Sequence, residues 1–365
     1  MTIRDDGVSR LTSMGFQGLE AQNALQKTNG NVEMAIDRLL SGEGVGSDNS
    51  VEDGFISSVG AAVSSFANAT DSVVKGTTSQ YSYGSDGRSA CTCIALTAAE
   101  TVANSVVTNE FEMITTELLD RSMEEGVARY VKLRKALTVS SGTSSSGSND
   151  VEHLSADEVL LKDDERATRG NVSNNDNNKE IGDKRLFDVR LKIVGGGQRV
   201  RQGALSRDRD HPLGMRVVLE GLVNDIRIEQ RERLRQHASD SSMDGITKLS
   251  NVDIPPMICI LLTKSPETVL LCLPSSDYEH DTTNDSNSGV VEKQQYWLID
   301  SHPRPYLLPG VETSYAKPHN SFDSLTQSLR DMFPFTDLGP DIPPMMSDMY
   351  NMFDMYALEG RKNRT

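Results

Sequence analysis

Basic charge and long apolar runs are both scarce in this sequence. Its 365 residues carry 37 lysines and arginines against 53 aspartates and glutamates, for a formal net charge of -16. This balance argues against nucleic acid or an anionic membrane as the main partner and favours a protein with a basic face. No run approaches the roughly 18 apolar residues of a membrane span, and the opening MTIRDDGVSR lacks the order of a signal peptide. We therefore expect a soluble intracellular protein of the cytoplasm or nucleus.

Cysteine is also rare, with four residues in the chain: Cys91, Cys93, Cys259 and Cys272. Four are too few for a disulfide scaffold of this length, so we expect reduced thiols. The last two lie in apolar runs and are expected to fill a core. Only Cys91-Thr92-Cys93 is closely spaced, and no second ligand pair has zinc-site spacing, so we expect neither a metal nor a cofactor.

Three stretches are typical of connections rather than of cores. Residues 43–79 are rich in glycine, serine and other small residues, which predicts a flexible linker. Residues 138–184 and 274–289 contain the polar runs SSGTSSSGSND and DTTNDSNSG, which predict disordered low-complexity insertions. A hydrophobic share of 36% agrees with a chain that is only partly packed.

Residues 341–365 contain the methionine-rich run MMSDMYNMFDMYAL, whose spacing predicts a helix. Four side chains would share one face of that helix: Met345, Met349, Met352 and Tyr356. Two uses of this face are open, namely packing against the preceding domain, which we prefer, and a groove for a partner.

The first 42 residues predict one small helical unit. Asn31 can cap a helix that Gly42 ends, and an apolar stripe follows it at helical spacing. The stripe consists of Val32, Ala35, Ile36 and Leu39. Two further short helices fit roughly Asp6–Ser13 and Gly18–Lys27. Three helices this short bury little area, so the unit lies near the lower size limit for independent folding.

The same segment resembles a ubiquitin-associated domain. The Met-Gly-Phe loop at 14–16, the pair Ala24-Leu25 and the run GNVE at 30–33 stand where that family places them. The resemblance implies a three-helix bundle that binds the apolar face of ubiquitin. Carried over residue by residue, the binding positions are Met14, Gly15, Phe16, Leu39 and Leu40. The alternative is that these side chains only close the core of the small domain.

Between the connections, the sequence predicts helices first and consecutive strands later. Helices over about Ile94–Val107, about Glu110–Leu133 and after Pro212 precede the runs MICILLT, TVLLCLP and YWLID, with KSPE as a turn between the first two. This order is typical of an α+β domain with an antiparallel sheet, which we assign to residues 80–340.

The strand YWLID runs into Asp300-Ser301-His302 and then Pro303. Alternate strand residues point to the same face, so Asp300 and His302 share one. A carboxylate so placed can fix the tautomer of an imidazole and stabilise the imidazolium. Pro303 interrupts strand pairing, which leaves the two residues at a sheet end, where clefts form. The alternative is a solvated pair in a loop.

Cys91, in the run GRSACTCIAL, is the candidate nucleophile. Ser89 or Thr92 can cap a helix whose apolar face begins at Ile94, so Cys91 would lie at the positive end of that helix. The helix dipole and a nearby imidazolium lower the pKa of a thiol and favour the thiolate. Cys93 is the rival candidate, and we expect it to be buried in the first turn.

Together, SACTCIAL and the later TVLLCL and YWLIDSHPRP resemble papain-like cysteine peptidases of the herpesvirus tegument deubiquitinase type. The resemblance covers residues 80–335 and implies a papain-like α+β fold. It implies that Cys91 is the nucleophile, His302 the general base and later acid, and Asp300 the residue that orients His302. That family also uses a glutamine upstream of the cysteine as an oxyanion donor, for which Gln80 is the candidate here.

The two resemblances imply a deubiquitinating cysteine peptidase that hydrolyses peptide and isopeptide bonds after the ubiquitin C-terminus. Its partners would be ubiquitin, polyubiquitin and ubiquitinated proteins, and the tethered N-terminal module would raise the local substrate concentration. Two alternatives stay open. One is a non-catalytic ubiquitin-binding adaptor with an inactive peptidase-like domain, and the other is a peptidase for a ubiquitin-like modifier.

Overall fold

The computed structural model describes residues 18–28, 35, 73–104, 114–140, 153–172, 185–194, 197–206, 208, 211–241, 257–275, 295–340 and 342–361. Two compact units divide the chain: Met1–Ser65 with Asp337–Ser347, and Phe66–Thr336 with Asp348–Thr365. In the first unit, helix α1 covers Gly18–Lys27, which agrees with the predicted second helix of the bundle, and buries Ala24 and Leu25. The other two predicted helices lie outside the described residues, apart from Ala35.

The described part of the second unit combines helices with one sheet. Its helices are α2 (Gly84–Arg88), α3 (Cys91–Asn104), α4 (Thr116–Ser140), α5 (Ala156–Val172), α6 (Met215–Ser241) and α7 (Phe322–Met332). Its strands are β1 (Val74–Lys75), β2 (Val189–Leu191), β3 (Arg201–Ala204), β4 (Met257–Lys264), β5 (Glu267–Pro274), β6 (Tyr296–Asp300), β7 (Tyr315–His319) and β8 (Met352–Gly360). A 3₁₀ helix over Gln80–Tyr83 precedes α2, and helix α8 (Pro344–Tyr350) precedes β8.

The strands form one sheet in the order β1-β7-β6-β5-β4-β8-β2, and β3 pairs with the first half of β8. Every described pairing is antiparallel, which confirms the predicted combination of helices with an antiparallel sheet. The predicted runs MICILLT, TVLLCLP and YWLID correspond to β4, β5 and β6. The first two form a hairpin that closes at Lys264↔Glu267, so the turn is Ser265-Pro266.

Both faces of the sheet are covered by helices, which explains why β4 and β5 are almost continuously apolar. Alternate residues such as Leu261 and Leu270 pack in a core with α3, α4 and α5. The residues between them, such as Ile260 and Leu271, pack in a second core with α6 and α7. A strand that is buried on both sides loses the apolar–polar alternation of a half-exposed strand.

Helix α3 lies against the sheet and is nearly enclosed. All of its first nine residues are buried, and so is Val102. Helix α4 approaches α3 closely at Gly126, where an added Cβ atom would lie 2.5 Å from the Cα atom of Ile94. Glycine at this position therefore allows α4 to pack directly on the first turn of α3, which fixes the position of Cys91.

Two predicted connections contain ordered elements. The predicted linker 43–79 includes β1, which pairs with β7, and the backbone N–H of Gly76 donates to the Ser314 carbonyl at 2.9 Å. The predicted insertion 138–184 includes α5, whose Val159 and Leu160 enter the core. The predictions of a linker up to residue 79 and of a wholly disordered 138–184 are therefore wrong for these parts. Most of 274–289 lies outside the described residues.

The methionine-rich segment also departs from its prediction. Helix α8 ends at Tyr350, and the chain continues as strand β8 between β4 and the pair β2 and β3. Met352 and Tyr356 therefore belong to a strand, and they do not share a helical face with Met345 and Met349. Tyr356 is buried in the core beneath α3 and α5. The sheet thus extends beyond the predicted domain boundary at residue 340.

Candidate active site

Cys91 is the first residue of α3. The helix starts there because the Ala90 carbonyl accepts the Ile94 N–H at 2.9 Å, which closes the first turn. Thr92 was one of two predicted caps, but it lies inside the helix. Its hydroxyl donates to the Leu154 carbonyl at 2.8 Å and lies 3.0 Å from the Thr268 hydroxyl. The predicted location of the thiol at the helix N-terminus agrees with the structure, whereas capping by Thr92 does not.

The Cys91 thiol lies against the β4–β5 hairpin. Its Sγ donates to the Pro266 carbonyl at 3.5 Å, and only 2% of the residue is exposed. Burial raises the pKa of the Cys91 thiol, and the negative charge of Glu267 adds to this rise. Hydrogen bonds from the backbone and hydroxyl of Thr268 act in the opposite direction. The sulfur is therefore a protonated thiol in this arrangement.

Asp300 and His302 meet at the end of β6. Asp300 is the last paired residue of the strand, opposite Tyr315, and the chain bends at Ser301. The Asp300 Oδ1 atom lies 2.6 Å from Nδ1 of His302 and accepts the His302 backbone N–H at 2.9 Å. An ionised carboxylate can only accept a hydrogen bond, so Nδ1 carries the proton and the neutral ring has its lone pair on Nε2. This tautomer can take a proton from a thiol.

Sequence reasoning missed Arg304, which completes the surroundings of Asp300. Its Nε donates to Asp300 Oδ2 at 2.8 Å, and its Nη2 donates to Glu267 Oε2 at 2.7 Å. Burial alone would raise the pKa of Asp300, but the charges of Arg304 and His302 outweigh it and hold that pKa well below its usual range. The sequence did contain a signal, since Arg304 of the HPRP run follows Asp300 by four residues and carries the opposite charge.

Gln80 lies beside the same bend although it precedes Cys91 by many residues. Its backbone N–H donates to the Ser301 carbonyl at 3.2 Å, and its side-chain Oε1 accepts the Ser301 hydroxyl at 2.8 Å. Because Oε1 is the side-chain atom that contacts Ser301, the side-chain NH₂ group of Gln80 makes no hydrogen bond to Ser301. Gly87 permits the packing, because a Cβ atom there would lie 1.9 Å from the Gln80 carbonyl oxygen.

Tyr81 packs against the histidine of the site. Its ring meets the His302 ring edge-on, with centroids 6.0 Å apart. Burial raises the pKa of Tyr81 to about 12, with a further rise from Glu267, Asp300 and Cys91, so the hydroxyl stays neutral.

A series of contacts connects Cys91, through Pro266 and Glu267 of the β4–β5 turn and then Arg304, to Asp300 and His302. Gln80 joins the same region through Ser301. Within the described residues, however, no hydrogen bond joins Cys91 to His302. The thiol bonds to Pro266 and the imidazole to Asp300. The thiol would have to turn from the Pro266 carbonyl toward Nε2 before it could react. Catalytic hydrogen bonds are often long or misaligned in the absence of substrate.

The remaining predicted positions have different surroundings. Cys93 is buried as predicted, and burial raises the pKa of its thiol far above the usual range. Cys259 and Cys272 lie opposite each other in β4 and β5 and are buried in the core, as predicted. The five predicted ubiquitin-binding positions lie outside the described residues: Met14, Gly15, Phe16, Leu39 and Leu40.

Among the described residues, no group of three or more histidine, cysteine, aspartate or glutamate side chains is arranged to hold a metal ion. None of the described helices combines the length and apolarity that crossing a bilayer requires.

Comparison with solved structures finds a similar chain in the ubiquitin-specific protease encoded by the murine cytomegalovirus tegument protein M48, solved in complex with a ubiquitin-based suicide substrate. The TM-score is 0.41 at 12% sequence identity, and the match covers 80% of this chain and 88% of that one. No curated protein matches the sequence.

Comparison with protein families identifies the N-terminal segment. Residues 5–39 match the family model of the UBA/TS-N domain. The match falls within the predicted unit 1–42 and includes α1. The chain therefore carries a UBA domain at residues 5–39, and such a domain implies ubiquitin binding.

Proposed function

We propose that this protein is a deubiquitinating cysteine peptidase that cleaves peptide and isopeptide bonds after the ubiquitin C-terminus. The observation that supports this most strongly is the buried Asp300–His302 pair, because its 2.6 Å hydrogen bond leaves Nε2 as the proton acceptor. The Cys91 thiol, at a helix N-terminus, is connected to this pair through the β4–β5 turn and Arg304, which supports its role as the nucleophile. The UBA domain supplies the reason to choose ubiquitin as the substrate.

The proposal includes a papain-like arrangement of the second unit. In that arrangement, a helix carries the thiol and packs on an antiparallel sheet that carries the base. Helix α3 and strand β6 fit these two roles. Strands β1 and β8 extend the proposed domain beyond residues 80–340 at both ends.

In the proposed reaction, the thiol first leaves the Pro266 carbonyl and transfers its proton to Nε2 of His302. The thiolate attacks the carbonyl carbon of the terminal glycine of ubiquitin, and the side-chain NH₂ of Gln80 donates to the oxyanion. The C–N bond then breaks, and the imidazolium gives its proton to the departing lysine amine. Asp300 holds the ring in the required orientation throughout.

A thioester between Cys91 and ubiquitin remains after this step. His302 then removes a proton from water, and the resulting hydroxide adds to the thioester carbonyl. Collapse of that intermediate breaks the C–S bond, and His302 returns the proton to the sulfur. The products are ubiquitin with a free carboxylate and the regenerated thiol.

A specific observation also favours the second candidate, a non-catalytic ubiquitin-binding adaptor. The thiol bonds to a backbone carbonyl instead of His302, and burial raises the pKa of Cys91. Both features suit an inactive domain. In this alternative, the UBA domain alone supplies the function.

The deciding experiment uses ubiquitin with a thiol-reactive electrophile at its C-terminus. The full chain, Cys91→Ala and Cys93→Ala would each be incubated with this probe, and adducts would be identified by mass. Cys93 is a matched control because its thiol is also buried, two residues further along α3. We expect an adduct with the wild type and with Cys93→Ala but not with Cys91→Ala. No adduct, with ubiquitin still bound through residues 1–42, would favour the adaptor.

A further inference from the structure

Arg304 is a buried cation that joins the two halves of the candidate site. Its guanidinium donates to Asp300 at 2.8 Å and to Glu267 at 2.7 Å, and a third contact reaches the Tyr306 hydroxyl at 3.2 Å. The guanidinium also lies over the ring of Phe333, 5.7 Å from its centroid. A planar group with this many directional contacts has little freedom to reorient.

The Arg304 contacts reach His302 through one intermediate residue and Cys91 through two. On one side, the other carboxylate oxygen of Asp300, Oδ1, accepts a hydrogen bond from Nδ1 of His302. On the other side, Glu267 lies between Pro266, which accepts the Cys91 thiol, and Thr268, which hydrogen-bonds the sulfur. Arg304 touches neither Cys91 nor His302. It can act on the reaction only by holding the residues that hold them.

We propose that Arg304 is a positioning residue that keeps the Asp300 carboxylate ionised and oriented toward His302, and that anchors the hairpin turn beside Cys91. This inference rests on the proposed function. Asp300 is fully buried, where an isolated carboxylate would take up a proton. A protonated Asp300 would no longer favour the Nδ1–H tautomer of His302. Nε2 could then carry the ring proton and would not be available to accept the thiol proton.

Several titratable and charged groups surround Asp300. The titratable and charged groups facing it are His302, Arg304, Glu267, Tyr81, Tyr306 and Tyr315. Burial raises the pKa of each of the three tyrosines, so they stay neutral in weak acid. Glu267 is negative and would oppose ionisation of Asp300. Arg304 is thus the permanent positive charge among them.

The test compares Arg304→Met and Arg304→Lys with the wild type. Methionine keeps much of the length but removes the charge, whereas lysine keeps the charge but cannot bridge two carboxylates with a planar fork. Arg129→Met is the matched control, because Arg129 also binds two carboxylates, Glu100 and Glu125, and lies over a phenylalanine ring. Arg129 bonds neither Asp300 nor Glu267.

The measurement is the rate of adduct formation with the electrophilic ubiquitin as a function of pH, with circular dichroism at each pH to verify folding. We expect the acid limb of the Arg304→Met profile to move to higher pH by about one pH unit or more. Arg304→Lys should be slower than the wild type but keep a limb closer to the wild-type limb. Arg129→Met should keep the wild-type limb.

A merely structural role would lower the rate at every pH without moving the limb. A folded Arg304→Met variant with the wild-type limb would therefore overturn the inference. If Arg304→Met does not fold, Arg304→Lys decides, and a wild-type rate and profile for that variant would equally overturn it.

Failure of the proposed function is distinguishable from failure of this inference. If the wild type forms no adduct at any pH, the function is wrong, but the Nδ1–H proton of His302 still reports on Asp300. In proton NMR of the full chain, this downfield resonance should persist to lower pH in the wild type than in the Arg304 variants. Equal persistence in all of them would refute the role of Arg304 without reference to catalysis.

Discussion

Replacing His319 with glutamine should remove part of the acid sensitivity of this protein. His319 lies in β7 with 2% of its surface exposed. Its Nδ1 lies 3.0 Å from the Ser324 hydroxyl, and its buried Nε2 has no hydrogen-bond partner among the described residues. Burial, and then the charge of Lys317, lowers the pKa of His319 from 6.5 to about 3. A second proton on the ring would therefore be buried without an acceptor.

The sign and size of the effect follow from these two pKa values. The unfolded chain takes up a proton near pH 6.5, whereas the folded ring resists protonation until about pH 3. The unfolded state binds more protons in this window, so stability is fully present above pH 6.5 and falls as the pH falls through it. Each pH unit is worth about 1.4 kcal/mol, so acidification from about pH 6.5 to about pH 4.5 should cost on the order of 3 kcal/mol through His319.

Urea unfolding of the wild type and His319→Gln at about pH 8 and about pH 4.5 measures this contribution, since other groups titrate equally in both proteins. The difference in free energy of unfolding between the two should change by about 3 kcal/mol in favour of the variant on acidification. A difference between wild type and His319→Gln that is the same at both pH values would refute the reasoning.

Three further predictions address the site and the fold. Gln80→Ala should lower kcat for hydrolysis of ubiquitin C-terminal substrates by about a hundredfold or more, since it removes one oxyanion donor; a wild-type kcat would exclude that role. Deletion of residues 1–42 should weaken binding of ubiquitin chains, measured by calorimetry, while Cys91 still reacts with the electrophilic ubiquitin; unchanged binding would assign chain recognition to the second unit. Phe353→Ala should lower the free energy of unfolding by about 3–5 kcal/mol because the ring of this β8 residue is buried in the core, and a loss below about 1 kcal/mol in urea would contradict that burial.

The parts of the fold that could be predicted are those in which one physical signal dominates. Strands β4, β5 and β6 are apolar, short and bounded by turn residues, so both the apolar pattern and the segment length predict strands. Helix α5 was missed because polar runs on both sides dilute its apolar residues. A local signal was nevertheless present, since Ser155 is followed three residues later by Glu158, whose carboxylate accepts the Ser155 backbone N–H at 2.9 Å.

Strand β8 was mistaken for a helix because methionines recur there at helical spacing. The middle of β8, residues 355–358, is buried on both faces, so this part of the sequence carries no alternation that could reveal a strand. In the site, Asp300 and His302 could be paired from local spacing alone. The contacts of Cys91 with Pro266 and of Gln80 with Ser301 depend on tertiary packing between distant segments, and local sequence patterns do not reveal such packing.

The position of β8 in the sheet has a consequence for how the molecule folds. Among the described residues, strands β2 and β3 reach the rest of the sheet only through β8, in pairs such as Leu191↔Leu358. Until β8 arrives, the edge of β4 is unpaired and apolar, which is a site for association with other unfinished chains. The pairing of β4 with β8 closes the long loop between Lys264 and Met352, and closing such a loop before its contacts form slows folding. We expect the sheet to be completed late in folding, and we expect the chain to depend on chaperones most before β8 is inserted.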